Sequence, residues 1–114
     1  MSFDYKKINN TVVVYITGRL VIENSTEVSN ELKNLILCES DSHFIFNLRL
    51  LDYISSSGYG IFIDMMRILG RRNCRLVLCE MNELITKIFR IVELTEVFSI
   101  FDTEDEAIGF LQNN

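Results

Sequence analysis

Three hydroxyls stand together in the run Asp52-Tyr53-Ile54-Ser55-Ser56-Ser57-Gly58-Tyr59-Gly60. The apolar run His43 to Leu48 precedes it and reads as a strand. Ile61 to Leu69 follows and reads as a helix. The serines therefore fall where a strand gives way to a helix N-terminus. The first N–H groups of a helix lack intrahelical acceptors, and a serine oxygen can accept from one of them as a cap. Capping alone leaves the triple serine unexplained. It also leaves Gly58 and Gly60 at positions where Ala would serve a helix better, unless another surface approaches the backbone there.

Phosphorylation is the second chemistry open to this turn. A phosphate adds roughly −1.5 to −2 charges, and a helix N-terminus stabilises an anion by about 0.3–1 kcal/mol. A partner covering the turn would feel the change strongly. Like charges about 4 Å apart at a partly buried site repel by roughly 4 kcal/mol, close to a thousandfold in affinity.

Other chemistries find little support. A serine nucleophile needs a base within reach, and both glycines follow the serines, so no Gly-x-Ser-x-Gly elbow is present. His43, the only histidine, opens the strand and belongs at its opposite end. No lysine follows the glycines as a phosphate-binding loop requires. Cys38, Cys74 and Cys79 lack metal-ligand spacing and read as buried, reduced thiols. We expect no catalytic residue, no metal and no cofactor.

With 114 residues, the chain is expected to form one domain spanning 1–114. A formal net charge of −5 argues against nucleic-acid binding. Arg67, Arg71, Arg72 and Arg75 cluster near a helix end, where cations favour the dipole. No apolar run reaches the roughly 18–20 residues of a membrane span. Met1-Ser2-Phe3-Asp4-Tyr5-Lys6-Lys7 does not resemble a signal peptide. A cytoplasmic protein without membrane contact is expected.

Five strands and four helices are expected to position the serine turn. Residues 3–8 and 11–17 read as a hairpin turning at Asn9-Asn10. Gly18 bends the chain away from the sheet. Asn24 to Cys38 reads as a helix, with Asn24 and Glu27 as a capping box and Val28, Leu32, Leu35 and Ile36 facing the core. Phe44 to Leu48 and Arg75 to Cys79 read as strands buried on both faces.

In the helix after the serines, Ile61, Phe62, Met65, Ile68 and Leu69 form the core stripe. Tyr59, Ile63 and Met66 fall on another side. They are either wedged against neighbouring elements or form an apolar surface where a partner docks. Gly70-Arg71-Arg72-Asn73 closes that helix. Asn82 to Val92 is a helix, Val97 to Phe101 a strand, and Thr103 with Glu106 caps a last helix. Alternation of strands and helices predicts an α/β fold with a mixed sheet.

Several of these segments together resemble the STAS domain of bacterial anti-sigma factor antagonists. That family has a strand, then Asp-Ser-Ser/Thr-Gly-Leu-Gly, then a helix. Here the run is Ser55-Ser56-Ser57-Gly58-Tyr59-Gly60. Gly18-Arg19-Leu20 is similar to the family's Gly-x-Leu, Asn47-Leu48 to the end of its central strand, and Thr103-Glu104-Asp105-Glu106-Ala107 to the start of its last helix.

The resemblance implies a regulatory protein that binds an anti-sigma factor acting as a serine kinase. Ser56 matches the phosphorylated serine, and Ser57 is the fallback acceptor. Ser55, Ser56, Ser57, Gly58, Tyr59 and Ile63 are the expected partner contacts. Ser55 stands where the family has Asp, and Val21 where the antagonists carry an acidic residue. Both changes remove carboxylates near the acceptor. The alternative is a STAS-like scaffold that is never phosphorylated and pairs with itself or another complex.

Overall fold

The computed structural model describes residues 3–112; Met1, Ser2, Asn113 and Asn114 lie outside that range. The hairpin forms as expected from β1 (Tyr5–Ile8) and β2 (Thr11–Tyr15), with Asn9 in the left-handed region at the turn. Strand β4 (His43–Asn47) pairs parallel with β2, β6 (Leu76–Cys79) with β4, and β7 (Ser99–Phe101) with β6. The mixed five-stranded sheet therefore runs β1-β2-β4-β6-β7.

Register explains why the central runs are apolar throughout. Val12 stands beside Phe44 and Phe44 beside Leu76, while Val14, Phe46 and Leu78 align two residues on. These six point to one face, where α1 (Ser25–Cys38), α2 (Ser56–Gly70) and α3 (Glu83–Ile91) cover them. Val13, Ile45 and Val77 point to the other face, against Ala107 and Leu111 of α4 (Glu104–Gln112). A strand covered on both faces has no polar side to alternate.

Helix α2 is seated by Ile61, Phe62, Met65 and Leu69, all buried, and Phe62 meets Phe46 edge to face at 5.1 Å. Each such side chain contributes roughly 1.5–3 kcal/mol on burial. The helix is therefore fixed by its core stripe, and its N-terminus is presented from a rigid support.

A second, two-stranded parallel sheet was not expected. It pairs β3 (Gly18–Leu20) with β5 (Leu51–Ile54). The serine turn follows β5 rather than β4. Gly18 does bend the chain, at φ +81°, but the chain enters a strand at once.

Capping also differs from expectation at α1. Asn24 makes no side-chain cap to α1. Its Oδ1 accepts from the Val21 N–H at 3.0 Å and its Nδ2 donates to the Arg19 carbonyl at 2.7 Å. It thereby closes a 3-10 turn, Ile22–Asn24. Thr103 behaves as expected: its Oγ1 accepts from the Glu106 N–H at 3.1 Å. Residues 94–96 form a second 3-10 turn, so the last strand begins at Ser99 rather than Val97. Helix α2 runs through Gly70, and Asn73, at φ +61°, takes the left-handed conformation beyond it.

Candidate functional site

The end of β3 holds the serine turn directly. The Ser55 N–H donates to the Leu20 carbonyl at 2.9 Å, extending the β3–β5 pairing by one bond. The Ser55 carbonyl accepts from Tyr59 at 3.1 Å, the first bond of α2. The N–H groups of Ser56, Ser57 and Gly58 precede that bond. Ser55 occupies the cap position with extended backbone, yet its hydroxyl makes no cap bond. Its Oγ is buried without a hydrogen-bond partner. The cap expectation for this serine is therefore corrected: the hydroxyl points into the fold.

The three serines differ in access. Ser55 Oγ is enclosed, Ser57 is half-buried, and Ser56 is exposed at the first helical position. No acidic residue stands in the first turn of α2. An anion on Ser56 would meet free N–H groups and the positive end of the helix dipole.

The two glycines also differ. A Cβ on Gly58 would lie 2.6 Å from Ile54 Cγ1 and 2.9 Å from Leu20 Cβ. The close approach there is internal, between α2 and the small sheet. A Cβ on Gly60 would meet nothing within 4 Å.

Tyr59, Ile63 and Met66 are half-buried and pack against the main core. The exposed apolar residue on this stretch of chain is Ile22, 71% accessible, two residues beyond Leu20. Sequence periodicity had no means of marking it, because a 3-10 turn of three residues has no period to read. Arg19 lies over the Tyr53 ring at 4.9 Å, tying β3 to β5 from the outside.

The other polar groups serve the fold. His43 accepts from the Arg75 N–H through Nδ1 at 3.0 Å. Burial, with a smaller effect of Arg75, lowers its pKa. It opens β4, at the opposite end from Asn47. Arg72 donates to the Ile36 carbonyl at 3.1 Å, capping the end of α1, and Arg75 lies over Phe110.

Glu104 bonds Lys6 at 2.8 Å and Asn47 at 3.0 Å. Burial works to raise its pKa, but hydrogen bonds from Lys6, Asn47 and Tyr15 overcome it and hold the carboxyl below its ordinary value. Of the cysteines, Cys79 is buried and Cys74 half-buried, whereas Cys38 is exposed, contrary to expectation. Among the described residues no group of three or more His, Cys, Asp or Glu is arranged to hold a metal, and no helix is long and apolar enough to cross a membrane.

The architecture and the serine turn define a class of small α/β modules that display a helix N-terminus. Residues 2–107 match the family model of the STAS domain, and the chain belongs to that family. It is 21% identical to the anti-sigma F factor antagonist of Paenibacillus polymyxa, over 98% of this chain and 96% of the relative. The anti-sigma factor antagonist SpoIIAA in its unphosphorylated form superposes with a TM-score of 0.81 at 24% identity, covering 99% of this chain and 98% of that one. The phosphorylated form of the Bacillus cell fate determinant SpoIIAA superposes with a TM-score of 0.70 at 25% identity, covering 95% and 97%.

Proposed function

We propose that this chain, as one domain, is a cytoplasmic anti-sigma factor antagonist. It binds an anti-sigma factor that is also a serine kinase, and phosphorylation of Ser56 releases it. The observation that carries the reading is the selective exposure of Ser56 at the uncapped N-terminus of α2, beside a Ser55 hydroxyl that is enclosed. A kinase reaches Ser56 without unfolding the turn, and the fold tolerates the phosphate. The family and the antagonist relatives support the same reading. The chain contributes a binding surface and a phosphoacceptor; no catalytic group is assigned to it.

The test is binding to the purified anti-sigma factor kinase of the same cells. Ser56→Ala should bind like the wild type, and Ser56→Asp should lose at least tenfold in affinity. Mass spectrometry after incubation with kinase and ATP should place the phosphate on Ser56. Phosphate on Ser57 alone would move the switch by one residue. Unmodified serines together with tight binding of Ser56→Asp would refute it.

One observation favours a second reading. Val21 and Ser55 leave the turn without the carboxylates that the antagonists carry. A STAS scaffold that binds its partner, or a second copy of itself, without phosphorylation would retain binding in Ser56→Asp.

A further inference from the structure

Strand β1 lies at one edge of the main sheet, and its outer side is open. The Tyr15 N–H donates to the Asp4 carbonyl at 2.9 Å, and Tyr5 stands opposite Val14. Backbone groups along an antiparallel strand face its two sides in turn. Those of Asp4, Lys6 and Ile8 therefore face β2, and those of Phe3, Tyr5 and Lys7 face outward. Glu31 takes up the Phe3 N–H. The outward N–H and carbonyl groups of Tyr5 and Lys7 have no partner among the described residues. Free lysines commonly blunt such an edge. Here both are neutralised within the chain, Lys6 by Glu104 at 2.8 Å and Lys7 by Glu39 at 2.9 Å. Tyr5 is 50% accessible. With Phe3, Leu35 and Cys38 it lines a mostly apolar cleft of about 260 Å³ between β1 and α1.

We propose that this edge pairs antiparallel with the same edge of a second copy of the chain, about a two-fold axis at Tyr5. The run Phe3-Asp4-Tyr5-Lys6-Lys7 is complementary to itself in that register. Tyr5 exchanges backbone bonds with the second copy's Tyr5, and the Lys7 N–H reaches the second copy's Phe3 carbonyl. The Glu31 bond to the Phe3 N–H is kept. Between these bonds, Asp4 of each copy comes opposite Lys6 of the other. Side chains approach most closely at such positions, and opposite charges facing across strands are favourable. Asp4 is exposed and ion-pairs with no described residue. The Lys6 ammonium carries three donors, so it serves both Glu104 and Asp4. An axis at Lys6 would instead set the two lysines opposite each other, where like charges repel. Side chains alternate along an added strand, so the second copy's Tyr5 stands on the α1 side and covers the cleft. The other edge of the sheet, β7, is three residues long and offers less to pair. The proposal is independent of the antagonist reading, because the serine turn follows β5 of the small sheet.

Sedimentation equilibrium of the full chain tests the pairing. The wild type should move from 13.3 kDa toward twice that mass as concentration rises. Tyr5→Lys and Tyr5→Glu, at a half-exposed position, should each fold and dimerise at least tenfold more weakly, because each sets like charges opposite each other and loses the aromatic pair. An equimolar mixture of the two should restore the dimer, since an axis at this residue sets it opposite itself. Asp4→Lys leaves the tyrosines in place, brings Lys opposite Lys6, and should also weaken the dimer at least tenfold. A wild type that stays monomeric up to about 1 mM, an Asp4→Lys dimer as tight as the wild type, or a mixture without rescue would each overturn the proposal.

Discussion

Gly58 of α2 and Leu20 of β3 pack so closely that a Cβ on the glycine would stand 2.9 Å from Leu20 Cβ and 3.2 Å from the Leu20 carbonyl oxygen. The same carbonyl accepts the Ser55 N–H. The small β3–β5 sheet therefore sets the height of the serine turn, and glycine is what allows the helix to descend onto it.

Gly58→Ala tests this relationship. Alanine gains up to about 1 kcal/mol in helix propensity, but overpacking costs typically about 1–3 kcal/mol. Leu20 Cβ is fixed to a paired strand and has no rotamer through which to yield. Net destabilisation is expected in urea unfolding. Equal or greater stability would show that the small sheet does not constrain the turn.

Much of this fold was legible because its signals are long or repeated. The strands Val12 to Val14, Phe44 to Phe46 and Leu76 to Leu78 are buried on both faces and so read as unbroken apolar runs. Stripes such as Ile61, Phe62, Met65 and Leu69 span several helical turns. The features that escaped are short or depend on distant partners. Strand β3 is three residues long and β5 four, too few to show a period. Asn24 has the residue type and spacing of a cap, but its side chain goes to Val21 and Arg19, a choice decided by the tertiary path of the chain. In the serine turn, sequence places three equivalent hydroxyls together. Only the folded chain distinguishes them, with Ser55 Oγ buried and Ser56 exposed.

Glu104 should make stability fall in acid. Its pKa in the fold lies below the ordinary 4.5, so the folded state holds the proton less tightly than the unfolded chain. The carboxylate therefore stabilises fully above pH 4.5, and that stability is lost as pH drops through the folded value. Wild type should be more stable than Glu104→Gln at pH 7, with the gap narrowing below pH 4.5. Lys6 is half exposed, so solvent screening keeps the gap modest. A gap that stays constant from pH 7 to pH 3, by urea titration, would remove Glu104 from the acid response.

The three thiols should separate by reactivity. Burial, aided by Glu104 and Glu80, pushes the Cys79 thiol up to about 12, so almost no thiolate is present at neutral pH. Burial and Asp41 raise Cys74. Cys38 is exposed. Brief alkylation at pH 7.5 should label Cys38 first, Cys74 slowly and Cys79 only after unfolding. Peptide mass mapping reads the order directly. Early loss of Cys79 would mean that α4 leaves the sheet readily in the native state.

Asn82 joins two jobs that substitutions can separate. Its Oδ1 accepts from the Ile85 N–H at 2.9 Å and caps α3, while its Nδ2 donates to the Leu51 carbonyl at 2.7 Å. Leu51 opens β5, the strand that delivers the serine turn, so one side chain fixes α3 to the support of the site. Asn82→Ser keeps an acceptor at the cap but is too short to reach Leu51. It should cost about 1 kcal/mol, one net hydrogen bond. Asn82→Ala loses both bonds and should cost about 2–3 kcal/mol, because the cap alone is worth about 0.5–2 kcal/mol. If β5 carries the turn, both variants should also loosen it, seen as faster amide exchange at Ile54 and Ser55 than at Phe46. Exchange rising only in α3 would confine Asn82 to capping and leave the serine turn supported by Leu20 alone.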